Sequence, residues 1–137
     1  MEAVKAECLT VAKSLKSDDV LVLPMDLLEL DKHLGHFEKV IQHFGRLDVL
    51  VNNAGRSQRA MFKDIELNVD RELFELDVFS VINLSRIYVQ HVDKIGGRGH
   101  IAITSSTVGL ISVPNSSSYT AAKHALHVIQ EFEWLFG

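Results

Sequence analysis

Two short apolar runs, residues 20–23 and 47–51, flank a stretch whose apolar residues recur at helical spacing. No other feature constrains the chain as much. A continuous apolar run of this length suits a strand buried on both faces of a parallel sheet. Between the runs, Leu34, Phe37, Val40, Ile41 and Phe44 share one face of a helix over 30–44 that stops at Gly45. Strand, helix and strand in this order predict parallel pairing through a right-handed crossover. Residues 101–104 add a third short run of β character. The expected class is α/β, with about three parallel strands and flanking helices.

A chain of 137 residues holds one domain at most, over 1–137, with one hydrophobic core. Its 47% apolar and 23% charged content are those of a soluble globular chain. The net charge of −4, without a basic cluster, gives nucleic-acid binding no support. Cys8 has no partner for an internal disulfide. No apolar run approaches the ~18 residues of a membrane span, and Met1 opens no signal-peptide pattern. His33, His36 and His43 are expected on a solvated helix face. A His33-x-x-His36 pair without a third convergent ligand is not a metal site, so none is expected. Gly96-Gly97-Arg98-Gly99 precedes a strand and reads as a turn, since a phosphate loop follows a strand and opens a helix.

Two further helices are expected. Residues 1–16 carry Val4, Cys8, Val11 and Leu15 at helical spacing. Residues 69–94, with Asn68 as N-cap, are apolar nearly all round, which fits either a core helix or one packed on a partner.

The chemistry concentrates near the C-terminus. Tyr119 and Lys123 are neighbours on one face if the residues around them are helical. At ~5 Å and an effective dielectric of ~20, a lysine cation favours a tyrosinate by about 3 kcal/mol. Such a tyrosine can exchange a proton with an alcohol or carbonyl oxygen. Read alone, Tyr-x-x-x-Lys is also compatible with two solvated side chains. Ser106 stands thirteen positions before Tyr119, at the end of the third run, where its hydroxyl could hold the same oxygen; Ser105 is off that spacing by one. Asn52-Asn53-Ala54-Gly55 follows the second run, and Asp26 follows the first, both where parallel sheets bind ligands. Each segment alone would also serve as a turn.

Together, the strand followed by Asn52-Asn53-Ala54-Gly55 and Ser106 with Tyr119-x-x-x-Lys123 resemble the short-chain dehydrogenase/reductase family. Gly45-Arg46-Leu47-Asp48 and Ile111-Ser112-Val113-Pro114 most resemble its dehydrogenase/reductase member 7 branch. The resemblance implies a partial Rossmann-type doubly wound sheet, lacking the first two and last two family strands. It implies NAD(P)-dependent interconversion of a small-molecule alcohol and carbonyl. Tyr119 would be the general acid/base. Lys123 would support it and bind the nicotinamide ribose, and Ser106 would hydrogen-bond the substrate oxygen. Asp26, Asn52, Ala54 and Gly55 would line the cofactor cleft with Tyr119 and Lys123. The branch favours NADP without excluding NAD. A homo-oligomer would form through the 69–94 and 116–136 helices. The branch is tied to the endoplasmic reticulum by an N-terminal segment with no counterpart in these residues.

The sequence departs from the family pattern twice. It has no strand, glycine-rich turn and helix for a pyrophosphate, and it reads as a fragment of a family domain ending inside the tyrosine helix. Asp77 stands where a catalytic asparagine is usual, at the position of a water relay to the lysine, and Ser80 stands where glycine is common. A carboxylate there would offset the Lys123 cation and slow the chemistry. The alternative is therefore an inactive, truncated product that associates with full-length subunits. A serine hydrolase would need a Gly-x-Ser-x-Gly elbow, which is absent.

Overall fold

A computed structural model describes residues 1–133. Strands β1 (Val49–Asn52) and β2 (His100–Ile103) pair in parallel, with Val49 opposite His100 and Asn52 opposite Ile103. Parallel neighbours require a crossover. It is one long helical run: α3 (Leu67–Phe74), a π-helical segment Glu75–Phe79, and α4 (Ser80–Lys94). Before the sheet lie α1 (Glu2–Val11) and α2 (His33–Phe44); after it comes α5 (Ser117–Glu133). The rest of the expected 116–136 helix, residues 134–136, lies outside the described residues. No helix among the described residues is long and apolar enough to cross a membrane.

The expected strand at residues 20–23 is corrected. Val20 is extended (φ −131°, ψ 104°) and the run is half-buried, yet it pairs with no strand among the described residues. Apolarity draws the run onto the protein, but a strand exists only through a neighbour's backbone groups. β1 and β2 pair with each other, leaving a two-stranded sheet in place of about three strands.

Helix α2 ends where expected. Gly45 takes φ +75°, open to glycine without strain, and its N–H donates to Ile41 O at 2.8 Å. Phe37 is buried with its ring edge against His91 of α4, 5.2 Å between centroids.

His33 corrects the solvated-face reading, for it is fully buried. Its Nε2–H donates to Leu27 O at 3.1 Å, and its Nδ1 accepts from Asn83 Nδ2 at 3.2 Å. Asn83 also donates to Leu30 O at 3.0 Å. Only the neutral Nε2–H tautomer makes both imidazole bonds. Burial pushes this imidazole below its usual range. Among the described residues no cluster of His, Cys, Asp and Glu could hold a metal.

The other helices shift at their ends. α3 begins at Leu67 with Glu66 as N-cap, so Asn68 lies inside the first turn rather than capping it. α1 stops at Val11, and Val4, Cys8 and Val11 are exposed, so their helical spacing meets no partner among the described residues. In the long run, Leu73, Val78, Val81 and Tyr88 are buried while Phe79 and Val89 are half-exposed. Tyr88 locks α4 to the start of both strands: its hydroxyl donates to Asp48 O at 2.7 Å and accepts from His100 N at 3.1 Å. A Cβ on Gly99 would lie 1.9 Å from that oxygen, so the turn before β2 needs glycine there.

Candidate active site

The site forms where three elements meet: α5, the π-segment, and the carboxyl ends of both strands. Helical geometry sets Tyr119 and Lys123 on one face of α5, with Nζ 5.6 Å from the centroid of the Tyr119 ring. Lys123 is 5% exposed and its Nζ donates to Thr104 O at 3.4 Å, just past the end of β2. Nζ also lies 3.4 Å from Asp77 Oδ2. An ammonium has three donors; the bond to Thr104 O uses one, and Asp77 Oδ2 sits at ion-pair distance without a hydrogen bond.

Asp77 is wholly buried. The π-segment that carries it is a one-turn departure from α-helix of the kind often found at functional sites. The other carboxylate oxygen, Oδ1, accepts from Arg56 N at 2.9 Å. A Cβ on Gly55 would lie 3.2 Å from both Asp77 oxygens. The bare α-carbon of Gly55 thus makes room for a carboxylate of its own chain, a use the sequence reading did not assign to it. Arg56 in turn pairs with Glu72 of α3 at 3.0 Å.

Asn52 is buried, and its Nδ2 donates to Ser85 Oγ of α4 at 3.1 Å, holding β1 to the crossover helix. Asn53 and Thr104 bridge the two strand ends, Thr104 Oγ1 donating to Asn53 Oδ1 at 2.9 Å. Ala54 and Gly55 follow, both exposed.

Two of the expected site residues make only local bonds. Asp26 is exposed, and its Oδ1 accepts from Leu28 N at 2.9 Å, a turn-forming role. Ser106, half-buried and extended (φ −154°, ψ 160°), accepts from Val108 N at 3.4 Å. Its neighbour Ser105 instead reaches His127 Nε2 at 2.9 Å. The spacing of Ser105 and His127 carries no signal that would have paired them. A separate cavity of about 470 Å³, lined by Phe62, Val113, Ser117, Thr120 and His124 among others, opens on a different face of α5 from Tyr119 and Lys123.

A helix bearing Tyr-x-x-x-Lys against the carboxyl end of a parallel sheet places the chain in the α/β class that works at strand ends. Residues 1–131 match the short chain dehydrogenase family, and the chain belongs to it. Dehydrogenase/reductase SDR family member 7 of Homo sapiens is 42% identical over 126 residues, covering 92% of this chain and 37% of that protein. A short-chain dehydrogenase from Streptomyces avermitilis superposes with a TM-score of 0.80 at 29% identity, over 93% of this chain and 45% of the other. A gluconate 5-dehydrogenase from Burkholderia cenocepacia J2315, solved in complex with NADP and tartrate, gives a TM-score of 0.71 at 25% identity, over 77% of this chain and 41% of the other. The chain thus spans less than half the length of each of these relatives. The family and branch resemblance carried by the motifs is upheld.

Proposed function

We propose that the chain carries the proton-transfer half of a short-chain dehydrogenase site, in which an alcohol and a carbonyl interconvert with a nicotinamide cofactor. The supporting observation is Lys123: buried, held by Thr104 O and Asp77, and beside the Tyr119 ring. Lys123, with N–H groups to spare beyond Thr104 O, and the exposed residues Ala54 and Gly55 fit the ribose end of a dinucleotide. Asn52 would support that edge from β1, and Asp26 would face the adenine end. The gluconate 5-dehydrogenase is solved with NADP, and the branch resemblance also favours NADP, with NAD as the alternative. When bound, the cofactor supplies or accepts the hydride.

Tyr119 gives its phenolic proton to the carbonyl oxygen in reduction and takes it back in oxidation. Lys123 stabilises the tyrosinate left behind. Ser106 orients the same oxygen by donating its hydroxyl proton. Asp77 fixes Lys123 and offsets part of its charge, which slows the chemistry relative to an asparagine at that place.

A second reading rests on a different observation. Phe79 (48%) at the end of the π-segment and Val89 (47%) on α4, with Val128 (58%) on α5, are large apolar side chains left open. They suit a homo-oligomer, or association with longer subunits, through the run from α3 to α4 and through α5.

Titration of the purified chain with NADPH, following nicotinamide fluorescence and thermal melting together, separates the two readings. Saturable binding with a raised melting temperature supports the dehydrogenase site. No binding, with co-purification of a full-length family member, supports the second.

A further inference from the structure

Ser105 and His127 form a contact that the proton-transfer chemistry leaves unused. Ser105 Oγ lies 2.9 Å from His127 Nε2, joining the loop after β2 to α5 one turn beyond Lys123. The space for this contact is set by Gly109. A Cβ there would lie 2.7 Å from His127 Nε2 and 2.9 Å from Ser105 Oγ, and Gly109 is buried. Three groups from two elements therefore close on one point, and only glycine at residue 109 lets them do so.

We propose that His127 is a positioning residue: through Ser105 it fixes the orientation of Ser106 relative to Tyr119 and Lys123. The proposal rests on the dehydrogenase reading for its consequence, but the tether itself is a matter of geometry. Residues 104 to 106 are attached to α5 and to their own turn by successive groups. Thr104 O accepts from Lys123 Nζ, Ser105 Oγ meets His127, and Ser106 Oγ accepts from Val108 N while Ser106 O accepts from Gly109 N at 2.9 Å. Ser106 is extended, so its side chain and that of Ser105 leave the chain on opposite sides. Holding Ser105 on the His127 side prevents the segment from rolling and keeps the Ser106 hydroxyl on the other. The tether tolerates either charge state of the imidazole. Neutral, Nε2 accepts from the serine O–H; protonated, Nε2–H donates to Oγ.

The test uses the full 137-residue chain, labelled with ¹⁵N, and the variants Ser105→Ala, His127→Ala, His127→Asn and His127→Gln. A glutamine amide occupies roughly the place of Nε2, whereas an asparagine amide occupies that of Nδ1. Amide exchange at Val108 and Gly109, the two N–H groups bonded to Ser106, is expected to quicken about tenfold in the first three variants and to stay near wild type in His127→Gln. Uniform exchange across all five proteins would overturn the tether. In NADPH-dependent carbonyl reduction, the first three variants are expected to lose about tenfold in kcat with KM for NADPH unchanged, and His127→Gln to restore it. Quickened exchange with unchanged kcat would overturn the positioning role. Tyr119→Phe is the control: full activity in that variant refutes the dehydrogenase reading, while the exchange result still decides the tether.

Discussion

The Asp77 carboxylate lies 3.4 Å from the Lys123 ammonium, with both side chains almost wholly withdrawn from solvent. The second carboxylate oxygen is held by Arg56 N, so the acid cannot swing away without losing a backbone bond. The cation proposed to support Tyr119 is thus shared with an anion. A buried pair is costly to break from one side, because the survivor keeps its charge without its partner.

Asp77→Asn should therefore act in two directions. Stability should fall by about 3 kcal/mol as Lys123 loses its counter-ion. Catalysis should rise, by about tenfold in kcat, because the full lysine charge then acts on Tyr119. Thermal melts and initial rates on one preparation check both. A stable variant with no gain in rate would leave Asp77 without the moderating role.

His33 should make stability depend on pH. Its folded-state affinity for protons is lowered by burial, and both ring nitrogens are engaged. The unfolded chain takes up that proton near pH 6.5 and so binds more protons than the folded chain below it. The contribution is complete above that value and is lost as pH falls toward the lower folded value. Urea midpoints at about pH 7.5 and about pH 5.5 should differ more in wild type than in His33→Gln. Equal differences would remove His33 as the source.

Gly99→Ala should destabilise the chain by about 3 kcal/mol, since its Cβ would overlap the Tyr88 hydroxyl. Tyr88→Phe should cost only about 1 kcal/mol, because Asp48 O and His100 N lose the phenol but keep their own bond at 3.0 Å. The double variant should not recover the first loss, because the ring carbon bearing the hydroxyl is only 2.7 Å from the new methyl. Denaturation midpoints for the three variants give the comparison.

Some of this was legible in the residues and some was not, for physical reasons. Gly45 announced its helix end because few residues accept a positive φ there. Tyr119 and Lys123 were legible because i and i+4 fix a shared helix face whatever the surroundings. Residues 20–23 were misread because periodicity reports burial, not whether a neighbouring backbone is available. His33 was misread because polarity alone suggested water, whereas Leu27 O and Asn83, neither detectable from local pattern, satisfy it inside. The π-segment around Asp77, Glu75-Leu76-Asp77-Val78-Phe79, left no sequence mark of its own. Ser105 and His127 meet across 22 residues, and nothing in either segment specifies the other.

The most direct measurement is single-turnover hydride transfer from NADPH to a small ketone or aldehyde panel, with the purified chain and its Tyr119→Phe variant. Transfer by the wild-type chain, lost by about a hundredfold or more in Tyr119→Phe while NADPH binding persists, is the expected result. Equal transfer by both proteins would contradict Tyr119 as the general acid/base, and with it the dehydrogenase reading of this site.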